Sequence, residues 1–405
     1  MRLVILHRGF MARGGAETLA LAQAQDLAAA GLDVQVVTFS FDPLHWKGAL
    51  EDIPVHLVPR HHWTDLPFAL DRNALLRHRT RRVASLLRRL APDIVLAHNH
   101  PSPAMLGACN VDARKLWFCH EPPRGLYPRQ TSRFLAEAGA KGLLAGHPEL
   151  ARGLDRHLAR ERENKWDWRR GVEFDQAGIA NLDGIAANSS YTRASVAAAY
   201  GGRQAEVHYP MVPMEPLPHR SGINRDGLQV LVQTRLELMK NVDTVIRGFR
   251  LARPHLGSQA RLHVVGKGEA LESLHALVKE LELGDAVTFH GFVSDAELKA
   301  MRQSCDAFAL VPWDEPFGMV YPEAAAAGLL MIGPDHGGPE EILGGGRYGW
   351  CVPPQAPVAL AEALCTVFRT SDAEADQMRL RALNACQARF APDVVLPRFR
   401  KWVTG

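Results

Sequence analysis

The sequence predicts an α/β protein made of two doubly wound domains, each a parallel sheet with helices on both faces. Short apolar runs alternate with helical patterns through nearly all of the 405 residues, and that strand–helix–strand rhythm calls for parallel sheets. A proline-dense stretch cuts the rhythm into two series. The length itself, with 47% hydrophobic residues, is too great for one ordinary core.

The first series offers strands at Leu3–Leu6, Val34–Phe39, Ile94–Ala97, Leu116–Cys119 and Gly184–Ala187. Ala16–Ala30, rich in Ala and Leu and ended by Gly31, is the helix between the first two. The second series offers Val230–Gln233, Leu262–Gly266, Val287–His290, Ala307–Val311 and Leu330–Ile332, with helices such as Val242–Leu251 and Ala296–Ser304 between them. Between the series, Tyr209 to Gly227 carries Pro210, Pro213, Pro216 and Pro218. Proline removes a backbone donor and is excluded from helix interiors and central strands, so this stretch reads as a linker. The expected domains are residues 1–209 and 210–389. The end of the chain, Pro392–Trp402, reads as a helix interrupted at Pro397.

Composition excludes several classes. No window approaches the roughly 18–20 continuous apolar residues of a spanning helix. The apolar run Arg2–Leu6 is followed at once by His7-Arg8-Gly9 and does not read as a signal peptide. Cys109, Cys119, Cys305, Cys351, Cys365 and Cys386 are scattered without a C-x-x-C pair, which fits reduced core residues and a cytoplasmic location. A formal charge of +3 does not demand nucleic acid. Charge is concentrated instead in Arg72–Leu90, where Arg72, Arg77, Arg79, Arg81, Arg82, Arg88 and Arg89 accompany an apolar stripe. Such a helix suits either an anionic membrane leaflet or its own domain, with a solvated charged face.

The chemistry gathers after Ala307–Val311, in Trp313-Asp-Glu315-Pro-Phe-Gly-Met-Val-Tyr-Pro-Glu323. Glu315 falls in a strand-to-helix loop. A helix starting near Gly318 or Met319 tolerates Pro322, because first-turn N–H groups lack helical partners. Amides at Phe317, Gly318 and Met319 could receive a phosphate or a sugar hydroxyl, flanked by carboxylates that accept from hydroxyls. The same two acids also suit any positive helix end, worth roughly 0.3–1 kcal/mol each. Arg235 and Lys240 offer a planar fork and a mobile point charge, suited to a diphosphate. Gly14-Gly15 opens the first helix and lets the backbone approach a phosphate. His120 ends its strand, as do His7 and His98. The pattern at Gly14-Gly15 is not G-x-G-x-x-G, Gly266-x-Gly268 lacks the third glycine, and no acid ends the second strand. An NAD-dependent oxidoreductase is therefore the weakest reading. No cluster with metal-ligand spacing stands out.

Glu-Pro-Phe-Gly-x-x-x-Pro-Glu closely resembles the E-x7-E signature of family four retaining glycosyltransferases, which have the GT-B fold. Other pieces fit in the same order: Thr234-Arg235-Leu236 with Lys240-Asn241, Leu262 to Gly268, Phe289-His290-Gly291-Phe292-Val293, and Gly337-Gly338-Pro339-Glu340-Glu341. Gly14-Gly15-Ala16-Glu17, Cys119-His120-Glu121 and Ala187-Asn188-Ser189 fit in the first half. The resemblance covers almost the whole chain. It implies two Rossmann-like domains facing each other across a cleft, with donor on the second, acceptor on the first, and residues 390–405 crossing back onto the first. It also implies a metal-independent enzyme. Glu315 would orient the donor sugar, Glu323 would hold ribose hydroxyls, Arg235 and Lys240 would stabilise the departing diphosphate, and His120 would lie against the sugar. Gly14, Gly15, Gly266, Val293, Phe317, Gly318, Met319 and Val320 would complete the donor site. The run Phe118 to Arg124, with Gly14 to Glu17, looks most like mannosyltransferases that use GDP-mannose and extend lipid-linked glycans, although neighbouring members use UDP-sugars. A nucleotide-sugar epimerase or a phosphorylase-like enzyme on the same fold is the alternative.

Overall fold

Apolar runs buried on both faces become the strands of two parallel sheets. A computed structural model describes residues 1–11, 14–46, 48, 50, 52–58, 72–163, 166–214 and 221–405. In the first sheet the strands are β1 (Arg2–His7), β2 (Asp33–Thr38), β3 (Val55–Leu57), β4 (Ile94–His98), β5 (Arg114–Cys119), β6 (Gly184–Ala187) and β7 (Glu206–Val207). Their order is β3-β2-β1-β4-β5-β6-β7, with every pairing parallel. The second sheet contains β8 (Gln229–Gln233), β9 (Arg261–Val265), β10 (Val287–Gly291), β11 (Ala307–Ala309), β12 (Leu330–Pro334) and β13 (Trp350–Val352). It runs β10-β9-β8-β11-β12-β13, again all parallel. In β1, Leu3, Val4, Ile5 and Leu6 are wholly buried, as a central parallel strand covered by helices on both faces requires.

Three strands escape the sequence reading: β3, β7 and β13. Each has only two or three residues and lies at a sheet edge, too short to stand out as a strand in the sequence. The long helices fall close to their expected places, at Gly15–Ala29, Val242–Ala252 and Asp295–Ser304. The last of these carries a capping box, Ser294 with Glu297. The helix after the Glu315 loop begins at Val320, with Met319 as its cap, slightly later than expected.

The chain forms two compact units: Met1–Thr131, Asp155–Pro210 and Val395–Gly405 in the first, and Ser132–Leu154 with Met211–Val394 in the second. Residues 132–154 thus depart from the expected 1–209 boundary. They are held in the second unit by aromatic and ionic contacts. Phe134 stacks on His336 with ring centroids 3.8 Å apart, and His147 lies 3.1 Å from the Asp243 carboxylate. Pro210 and Pro213 stand in irregular backbone, while Pro216 and Pro218 lie outside the described residues.

The final helix runs unbroken from Pro392 to Thr404, with Pro397 inside it, and corrects the expected interruption. Proline forfeits one backbone hydrogen bond there. Burial of Val395, Phe399, Trp402 and Val403 offsets that loss. Within the first unit Phe399 meets Phe118 edge-on, Trp402 packs beside His208, and Arg114 donates to the Val403 carbonyl at 2.9 Å.

The basic helix Arg72–Leu90 turns its apolar stripe inward. Val83, Ala84, Leu86 and Leu87 join the core of the first unit, with Leu76 and Leu90 packed against it. Arg77, Arg81, Arg88 and Arg89 are exposed; the Arg72 side chain lies outside what is described.

Candidate active site

In the second unit, the loops after β8, β9, β11 and β12 interlock at the carboxyl ends of the strands, where doubly wound sheets gather ligands. Leu236 N donates to Lys267 O at 2.9 Å, Trp313 N to Met239 O at 3.0 Å, and Gly338 N to Glu315 O at 2.9 Å. Glycine is required where these loops meet. Gly266 has φ +136°, and a β-carbon there would lie 1.8 Å from the Thr234 carbonyl oxygen. Gly318, at φ +89°, turns the chain beneath the Tyr321 ring.

Lys240 and Glu315, assigned by the sequence reading to the diphosphate and to the sugar, come together as an ion pair. Lys240 Nζ donates to Glu315 Oε2 at 2.6 Å, and both side chains are largely buried. The next residue fixes this lysine. Asn241 is buried in the left-handed region (φ 58°), and its Nδ2 donates to Val311 O at 2.8 Å and to Pro354 O at 2.9 Å. Asparagine tolerates that backbone, and its amide ties the lysine's loop to the strand end that leads to Glu315.

Glu323 belongs to a separate cluster. Arg302 donates to its Oε2, and Gln233 Nε2 donates to the same oxygen at 3.3 Å. Arg302 also donates to Gln233 Oε1, at 2.7 Å from Nη2 and 3.1 Å from Nε. Sequence reading missed both residues. Arg302 sits on a helix of ordinary charged composition, and only the fold shows that it reaches the end of β8. Arg235 is 72% exposed and pairs with Glu237 at 2.6 Å, so it stands apart from both carboxylates. Phe317 is buried with its ring edge-on to Phe390, leaving its backbone as the part that could meet a ligand. Met319, Val320 and Val293 are half-buried, and Phe292 beside Val293 is 81% exposed.

The first unit holds a second set of polar groups at the ends of β1, β4 and β5. His7 is wholly buried, and burial lowers its pKa to about 4. Gly9 N–H donates to His7 Nδ1 at 3.0 Å, so the proton of the neutral ring sits on Nε2. Asn99 lies beside that nitrogen at 3.2 Å and donates from Nδ2 to Glu17 Oε1 at 3.5 Å. His98 and His120 meet at 3.1 Å, and burial lowers His120 to about 3. The His120 carbonyl accepts from Asn188 Nδ2 at 3.0 Å and Thr192 Oγ1 at 3.3 Å, which gives the Asn188-Ser189 pair a structural purpose. Gly14, extended and just ahead of the helix, leaves room for a carboxylate: a β-carbon there would lie 2.4 Å from Glu17 Oε2. Gly15 is exposed at the helix start. Among the described residues no group of three or more His, Cys, Asp or Glu stands together as a metal site, and no helix is long and apolar enough to cross a membrane.

Two parallel α/β units with seven and six strands have the GT-B architecture of solved glycosyltransferases. Residues 13–215 match the family described as Glycosyltransferase Family 4, and residues 214–382 match Glycosyl transferases group 1. The chain belongs to glycosyltransferase family 4. It is 28% identical over 304 residues to the GDP-mannose-dependent alpha-(1-6)-phosphatidylinositol monomannoside mannosyltransferase of Mycobacterium tuberculosis, a match covering 67% of this chain and 74% of that protein. It is 35% identical over 131 residues to the mannosylfructose-phosphate synthase of Agrobacterium fabrum, covering 30% of this chain and only 29% of that protein. Among solved structures it is similar to Anabaena HepE in complex with UDP and glucose, with a TM-score of 0.72 at 19% identity, covering 100% of this chain and 99% of that one. Sucrose-phosphate synthase from Thermosynechococcus elongatus gives a TM-score of 0.71 at 18% identity, covering 99% and 98%.

Proposed function

We propose that this glycosyltransferase moves a hexose, mannose favoured, from a nucleotide sugar to a glycan or lipid-linked acceptor with retention at the anomeric carbon. The observation that carries the reading is the Lys240–Glu315 pair at 2.6 Å, set in a loop fastened to the strand ends by Asn241. In this reading Glu315 orients the donor sugar. Lys240 and the exposed fork of Arg235 move onto the diphosphate as the glycosidic bond breaks and stabilise its growing charge. The leaving diphosphate takes the acceptor proton, so no basic side chain is needed. Glu323, with one oxygen held by Arg302 and Gln233, keeps the other for the ribose hydroxyls. Backbone at Gly266, Val293, Phe317, Gly318, Met319 and Val320 completes the donor site, and His120 contacts the sugar. Gly14 and Gly15 take a phosphate oxygen only when Glu17 has turned aside.

The mannose preference draws on the mycobacterial relative, whose name specifies GDP-mannose. UDP-sugars are the competing donors, because HepE was solved with UDP and glucose. A panel of nucleotide sugars, read by thermal stabilisation and by transfer to lipid-linked glycans, tests the proposal. GDP-mannose should raise the melting temperature most, and turnover should survive EDTA. Turnover lost to the chelator and restored by Mn²⁺ would remove the metal-independent part, and conversion of donor without any acceptor would favour an epimerase. The reading also includes a cytoplasmic setting and electrostatic contact with an anionic leaflet through Arg77, Arg81, Arg82 and Arg88.

A further inference from the structure

His98 is wholly buried at the end of β4, its ring stacked on Phe118 with centroids 5.6 Å apart. Its Nδ1 faces His120 Nε2 at 3.1 Å. Its other nitrogen, Nε2, is buried and has no hydrogen-bond partner among the described residues. Burial holds both rings neutral, His120 down to about 3 and His98 well below the ordinary histidine range. One hydrogen therefore lies between the two facing nitrogens, and the question is which ring supplies it.

If His120 donated, His98 would carry its own proton on Nε2, a buried N–H with no acceptor among the described residues. Orphaned buried N–H groups are rarer than under-used lone pairs, and an unsatisfied donor costs its full desolvation. If His98 donates from Nδ1, its Nε2 holds only a bare lone pair. His120 then accepts at Nε2 and keeps its own proton on Nδ1. The backbone beneath that ring is fixed as well, because Asn188 and Thr192 hold the His120 carbonyl.

We propose that His98 is a positioning residue that locks His120 into the Nδ1–H tautomer, making His120 a neutral hydrogen-bond donor to a sugar hydroxyl oxygen rather than a base. The tautomer follows from the facing nitrogens and the burial of the two rings. Its partner, a hydroxyl of the bound sugar, rests on the glycosyl-transfer reading.

Histidine nitrogen-15 spectra of the full chain decide the tautomer, with the His120 signals identified by their loss in His120→Asn. His120 should show a protonated Nδ1 and a bare Nε2; the reverse pattern, or two protonated nitrogens, overturns the proposal. His98→Phe keeps the stacking volume and removes the donor, so the His120 proton should shift to Nε2, the form free side chains favour. An unchanged Nδ1–H in a folded His98→Phe protein sinks the locking role; if that variant does not fold, His98→Leu, which also lacks a donor, serves the same comparison. In transfer assays His98→Phe should lower kcat/KM about tenfold, the scale of one hydrogen bond. His98→Asn, whose amide can donate from near the Nδ1 position, should recover most of that loss. Failure of the chain to transfer any sugar would remove the sugar partner but leave the spectra to decide the tautomer.

Discussion

Glu315 is held by one short ion pair, and the consequence of changing it follows from that geometry. Glu315→Gln keeps an oxygen for Lys240 Nζ but loses the charge and one acceptor for a sugar hydroxyl. Stability should fall by about 1 kcal/mol, whereas turnover should fall about a hundredfold, the scale of losing substrate orientation. Normal turnover in Glu315→Gln would refute the donor-orienting role. The histidines of the first unit set a pH dependence. His7 falls from an ordinary 6.5 to about 4 and His120 to about 3, so the unfolded chain binds more protons than the folded one between those values and 6.5. Stability from these groups is complete above about pH 6.5 and is lost as the pH falls toward 4, at up to about 3 kcal/mol for His7. Most carboxylates stay ionised above about pH 5. A melting temperature that drops between pH 7 and 5.5 is therefore the expected signature, and a flat profile there would mean the rings are not held neutral.

At the scale of elements, what could be read from sequence followed the burial of each segment. Long strands buried on both faces left unbroken apolar runs, and β1, β4 and β9 fell within a residue or two of their places. The two- and three-residue edge strands β3, β7 and β13 were too short to stand out as strands. Lys240 and Glu315 were legible because their neighbours form a dense motif. Arg302 and Gln233 were not, since a lone arginine on one helix and a glutamine ending a strand meet only through tertiary packing. The inward burial of Phe317 and the continuity of the last helix through Pro397 were likewise decided by packing rather than by local propensity. The basic helix shows the same division. Its periodicity was plain, but the structure adds that Val83, Leu86 and Leu87 are committed to the core. Any membrane contact must then be electrostatic, at roughly 1 kcal/mol per basic residue near the surface. Changing Arg77, Arg81, Arg82 and Arg88 to Glu should abolish binding to anionic vesicles without unfolding the protein. Unchanged binding to such vesicles would exclude this helix as the contact.

At the scale of the whole molecule, the polar machinery is divided between two compact units. The second unit holds Lys240, Glu315, Arg302 and Glu323 at the carboxyl ends of its own sheet; the first holds the histidines at the ends of β1, β4 and β5. Each set is supported by hydrogen bonds inside its own unit, so a ligand that engages one set alone should protect that unit alone. A nucleotide bound to the native state at a hundred times its Kd stabilises it by about 2.7 kcal/mol, enough to slow hydrogen exchange in the segments it ties down. With GDP or UDP, slowing should appear in residues 234–241, 266–270 and 315–323, while exchange in the β1 and β4 ends stays as it was. Adding the sugar-bearing donor should extend protection to the segment around His120. Nucleotide protection confined to the first unit would reverse the assignment of donor and acceptor sides, and with it the roles given to Arg235, Lys240 and Glu323.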